Sequence, residues 1–155
     1  MRHNLLPMTS ITSIKNCLVQ YIDSEAPQGH LLVVYVFGSF ARNQERAKSD
    51  IDLAFLVDPA RYRMDAFEAT APVHMIAGKM GMKLDRVVDV TILNSASLEI
   101  AYEIVAGGEC LFESDPELRI QYELKVKGMH FDFQPFISEL RAKRIGLPRG
   151  HRIPL

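Results

Sequence analysis

The sequence has only two cysteines, Cys17 and Cys110. Neither belongs to a C-x-x-C pair, and no histidine or cysteine cluster accompanies them. That excludes a disulfide scaffold and a structural zinc site of the usual spacing, and it fits two reduced thiols in a cytoplasmic protein. No apolar run reaches the roughly 20 residues that span a bilayer. The segment Met1–Pro7 has neither the long apolar stretch nor the small-residue cleavage site of a secretory leader. There is no internal repeat and no low-complexity tract. What remains is a chain of 155 residues, 48% hydrophobic and 24% charged, which is the size and composition of one globular domain able to bury its own core.

The net charge of -1 hides an uneven distribution. Residues 141–155 contain Arg141, Lys143, Arg144, Arg149 and Arg152 and no acid, whereas the other 140 residues carry 13 basic and 19 acidic side chains. The division expected is one domain over residues 1–145 and a basic tail over 146–155. A solvated terminus is the simpler reading of the tail; contact with an acidic partner or nucleic acid is the sharper one.

Hydrophobic periodicity predicts the order of elements. Ile11, Ile14, Leu18, Tyr21 and Ile22 lie at helical spacing behind a Thr9 or Ser10 cap. Leu31–Phe37 is a continuous β-branched and aromatic run, the pattern of a strand covered on both faces. Ile51–Val57 is a second strand, stopped by Asp58-Pro59. Ala60–Met82 has a helical pattern that Pro72 should kink or split, and Asp85 falls in the turn after it. Val87–Leu93 is a third strand. A helix capped by Asn94 or Ser95 should then run to Ala106 and end at Gly107-Gly108. Cys110–Phe112 suits a short edge strand. A last helix should start at Ser114-Asp115-Pro116-Glu117 and end near Lys127, with Pro135 setting off a second piece, Phe136–Arg144. The class is α/β (α+β), a small mixed sheet packed with helices.

Chemistry concentrates in one stretch. Gly38-Ser39 follows the first strand directly, and ten residues later comes Asp50-Ile51-Asp52. Glycine lets the backbone turn sharply and lets a phosphate approach. Ser39 should open a short helix, whose N-terminal N–H groups suit a triphosphate, with its hydroxyl as a further donor. Asp50 and Asp52 are two residues apart on a strand, so both carboxylates share a face, roughly 7 Å apart. Two like charges so placed call for a cation between them, and Mg²⁺ bound jointly by carboxylates and phosphate oxygens fits. Asp89, the lone acid between Val88 and Val90, is the natural third carboxylate and a candidate general base. His74 and His130 read as core or surface histidines rather than metal ligands, Met75, Met80 and Met82 as adaptable packing or a face toward a partner, and Tyr35 as structural.

These residues together resemble the polymerase-β-type nucleotidyltransferase superfamily. The wording Gly38-Ser39-Phe40-Ala41-Arg42 and Ser49-Asp50-Ile51-Asp52-Leu53 is similar to its minimal branch, known as MNT. The resemblance spans about residues 31–112. It implies that Asp50, Asp52 and Asp89 hold metal, as two Mg²⁺ ions, and carry catalysis, and that Gly38, Ser39, Arg42 and Ser49 bind the nucleotide. Members of the branch are commonly paired with a HEPN-domain RNase toxin as its antitoxin, in a hetero-oligomer. The reaction implied is transfer of AMP from ATP to a tyrosine of that toxin. Where many relatives carry glycine after the Ala-Arg pair this chain has Asn43, a residue type that tolerates left-handed backbone. Two other readings stand beside this one: an antitoxin that binds its toxin without catalysis, and a transferase acting on a small molecule such as an aminoglycoside.

Overall fold

The computed structural model describes residues 9–42 and 49–143. A four-stranded mixed sheet has the order β3-β2-β1-β4. Strands β1 (Leu31–Phe37) and β2 (Ile51–Val57) are antiparallel, β4 (Glu109–Glu113) is antiparallel to β1 on the other side, and β3 (Val88–Ile92) is parallel to β2. Helices α1 (Ile11–Glu25) and α3 (Ala66–Leu84) cover one face, and α4 (Leu98–Gly107) and α5 (Pro116–Lys143) the other. The short α2 (Pro59–Met64) leads into α3.

Alternation along the strands builds two cores. Val34 and Val36 of β1, with Ile51, Leu53, Phe55 and Val57 of β2, pack against α1 and α3. Val33, Tyr35, Ala54 and Leu56 pack on the other side against α4 and α5. A register shift between Leu31 and Val33 lets Leu32 and Val33 both turn to the second face. Such two-sided burial needs continuous apolar strands, and each fully buried large side chain contributes about 1.5–3 kcal/mol.

The predicted strand and helix types hold, but several joints differ. The helical stretch after β2 breaks at Asp65, not at Pro72. Asp65 is extended, and its carboxylate accepts the Glu68 N–H, capping α3. Pro72 lies inside α3 and removes one backbone donor. Burial of Ala69, Val73, Ile76, Ala77 and Met80 on one side outweighs that loss. Pro135 likewise lies inside α5, which is continuous over 28 residues. Ser97, not Asn94 or Ser95, caps α4, its hydroxyl accepting the Ile100 N–H. Asn94 instead closes the end of β2: its amide donates to Val57 O at 2.8 Å and its Oδ1 accepts Val57 N–H at 2.9 Å. Asn94→Ala should therefore lower unfolding stability in urea by about 2–3 kcal/mol, because two partly buried backbone groups lose their partners at once. The Ser39 helix is not formed among the described residues, which show a single turn over residues 38–42. Its continuation, with Asn43, falls outside them, as do all residues beyond 143.

Candidate active site

The site begins where β1 ends. Gly38 has φ +70, left-handed backbone that glycine adopts without strain. A Cβ at this position would collide with Asp52 Oδ2 and stand 3.3 Å from Asp52 Cγ. Glycine here is thus needed twice, for the turn and for the carboxylate lying against it. The turn closes through Arg42 N–H to Gly38 O at 3.2 Å, and Arg42 Nε reaches the same oxygen at 3.3 Å. The first N–H groups of such a turn have no acceptor within it and are available to an anion. Phe40, 1% exposed, anchors the turn in the core beside α1 and α3. Ser39 is half-buried and Arg42 exposed at the turn's rim.

Strand register brings the acids together. Asp52 pairs with Phe37 on one side, and on the other its Cα partner in the parallel ladder is Asp89. Both acids sit on the face opposite Ile51, Leu53, Val88 and Val90, which belong to the first core. Asp50 stands one residue ahead of β2, exposed, on the same side as Asp52 by alternation. Burial raises the Asp52 carboxyl above its ordinary range, the charges of Asp89 and Asp50 raise it further, and Arg42 opposes them. The electrostatics thus join Asp50, Asp52, Asp89 and Arg42 in one site.

Ser49 lies at the same end. Its carbonyl accepts Arg86 Nη1 at 3.0 Å, and Ile51 N–H donates to Val87 O at 2.9 Å, so the entries to β2 and β3 are tied together. The Arg86 guanidinium also lies 5.8 Å from the Phe40 ring centroid. Arg86 links the Gly38 turn, Ser49 and β3, a role that sequence reasoning missed. Its only signal was a basic residue just before a strand.

Among the described residues, no three His, Cys, Asp or Glu side chains converge closely enough to hold a metal by themselves. The acids stand side by side instead. That suits Mg²⁺, which keeps several waters and binds through one or two carboxylates plus substrate phosphates. The donors are all hard oxygens, and the like-charge stress on Asp52 is what a divalent cation relieves. Asp50, Asp52 and Asp89 are the residues that would hold it.

The remaining candidates fall elsewhere. Asp85 ends α3 in left-handed conformation, in the expected turn. His130 stacks on Tyr102 with ring centroids 3.6 Å apart, and Tyr35 donates to Glu123 at 2.8 Å. Met80 is buried, whereas Met75 and Met82 are exposed. His74 is exposed too and lines an open groove of about 610 Å³ between α3 and β3, with Asp89 also among its lining residues.

Comparison with known proteins agrees with this geometry. Residues 18–117 match the family model described as Polymerase beta, Nucleotidyltransferase. The protein adenylyltransferase MntA of Shewanella oneidensis is 28% identical over 106 residues, which cover 67% of this chain and 70% of that protein. Among solved structures, a toxin–antitoxin with AMP-PNP aligns with a TM-score of 0.58 at 24% identity, over 81% of this chain and 97% of that one. A tri-AMPylated Shewanella oneidensis HEPN toxin in complex with its MNT antitoxin gives a TM-score of 0.56 at 22% identity, over 83% and 97%. At these identities the structures establish a shared fold. The chain belongs to the polymerase-β-type nucleotidyltransferase family.

Proposed function

We propose that the chain transfers AMP from ATP to a tyrosine hydroxyl of a cognate HEPN-domain RNase toxin, and so acts as its antitoxin. The observation that carries this reading is the register pairing of Asp52 with Asp89 directly beside the Gly38 turn. It brings two carboxylates and the glycine turn into one small region, which supports reading them as metal ligand, base and phosphate cradle. The relative's designation as a protein adenylyltransferase, and the AMP-PNP and AMPylated-toxin complexes that share the fold, support the choice of nucleotide and acceptor.

In this reading the turn at Gly38 and Ser39, with Arg42 and Ser49, receives the triphosphate. Asp50 and Asp52, with Asp89 completing the carboxylate set, would hold Mg²⁺, which would supply neutralisation of phosphate charge. Asp89 takes the proton from the attacking hydroxyl. Positioning and electrostatics supply most of the rate, as in other phosphoryl-group transfers. The setting is the cytoplasm, where the unpaired thiols of Cys17 and Cys110 stay reduced. No helix among the described residues is long and apolar enough to cross a membrane.

The test is label transfer. The protein is incubated with Mg²⁺, α-labelled ATP and the product of the neighbouring gene, and that product is weighed by mass spectrometry. A gain of one or more AMP units, absent with Asp50→Asn, is the expected result. A stable complex without any gain would replace catalysis with occlusion of the toxin.

A further inference from the structure

Of the three acids, Asp50 needs the most support from its neighbours. It is exposed and stands one residue ahead of β2, and the ladder with β3 begins only at Ile51. On its C-terminal side the Ile51 N–H donates to Val87 O at 2.9 Å. On its N-terminal side the Ser49 carbonyl accepts Arg86 Nη1 at 3.0 Å. That carbonyl and the Asp50 N–H belong to one planar peptide group, so holding the oxygen holds the plane from which the Asp50 backbone departs.

Arg86 has a firm seat of its own. Its N–H donates to Gly81 O at 3.1 Å in the last turn of α3, past the left-handed cap at Asp85. A Cβ at Gly81 would stand 2.9 Å from Arg86 O, so glycine lets the two backbones close. From that seat the guanidinium lies 5.8 Å from the centroid of the Phe40 ring, the core anchor of the Gly38 turn. A planar guanidinium can rest on a ring and donate from its edge at once, which an ammonium cannot match.

We propose that Arg86 is a positioning residue for the transfer: through the Ser49 carbonyl it fixes Asp50 beside Asp52 and Asp89, and through the Phe40 ring it holds the Gly38 turn against them. A ligand already in place binds a cation more tightly than one that must first be ordered, and this is how outer partners set metal affinity. The inference rests on reading the three acids as the metal ligands.

The test is binding of Mn²⁺ in the presence of a non-hydrolysable ATP analogue, followed by electron paramagnetic resonance well below the thermal midpoint. Arg86→Gln should raise the Kd for Mn²⁺ about 10–100-fold, the usual cost of losing an outer partner of a metal ligand. Arg86→Lys is milder for the fold and keeps a donor for the Ser49 carbonyl, so its rise should be smaller. Added to Asp50→Asn, Arg86→Gln should cost little more, because its effect runs through that carboxylate. In label transfer, kcat should fall while the KM for the protein substrate stays at its wild-type value. A wild-type Kd in both Arg86 variants would overturn the proposal. A full additional loss on top of Asp50→Asn would overturn it too, making Arg86 a general support of the fold. A wild type that binds Mn²⁺ with the analogue but labels no protein would instead remove the AMP-transfer reading, and the Kd values would still decide the role of Arg86.

Discussion

Asp52→Asn is expected to lower AMP transfer by a factor on the order of 10²–10³, the usual loss when one preorganised electrostatic group is removed from an active site. It should do so without lowering the thermal midpoint. Asp52 is half-buried, and burial together with the charges of Asp89 and Asp50 raises its carboxyl above its ordinary value. A group whose pKa is raised on folding favours the folded state below its unfolded pKa, and that contribution is lost as pH rises through the folded value. At neutral pH, without metal, the ionised Asp52 therefore works against folding, and asparagine relieves it. The variant should melt at or above the wild type at pH 7, and the difference should shrink as pH falls into the carboxylate range. Melting curves over pH, beside transfer rates, check both halves. An active variant that melts lower than wild type would mean that Asp52 is structural.

Gly38→Val should damage both stability and activity. A β-branched residue at φ +70 carries strain of about 1–3 kcal/mol. The new side chain must also displace the Asp52 carboxylate from the place it occupies against Gly38. The expected outcome is a urea unfolding stability lower by at least that strain, with transfer reduced as far as in Asp52→Asn. Gly29 provides the comparison. It has φ +78 but nothing within 4 Å of its missing Cβ. Gly29→Ala should lose about 1–2 kcal/mol from backbone strain alone and keep wild-type transfer. If the two glycine variants lost activity equally, contact with Asp52 would not explain the need for Gly38.

Much of this architecture is legible in the residues. The run Leu31–Phe37 and the run Ile51–Val57 appear as strands with the boundaries expected, because apolar residues covered on both faces leave little room for another assignment. The Gly38 turn and the Asp50, Asp52 and Asp89 set follow from spacing together with family resemblance. Joints are less legible, because local chemistry competes there. Pro72 signals a break, but packing against α1 and β2 carries the helix through the proline, and the break falls at Asp65, whose carboxylate caps α3. Asn94 looks like a cap, but the free end of β2 claims its side chain. The pairing of Asp52 with Asp89 could not be read from spacing at all. It depends on which residues of β2 and β3 align after about thirty intervening positions, and that is settled by the cores on either face.

The same register has a consequence for the order of events in the growing chain. The chain through Val57 already contains the glycine turn and two of the three acids, joined by the local antiparallel pairing of β1 and β2. The third acid arrives only after the crossover through α2 and α3 has closed, and parallel pairing across so long a connection is slow to form. A nascent chain thus carries the sequence signature well before it has a reaction centre. Activity therefore reports completed tertiary assembly and not the mere presence of the motif.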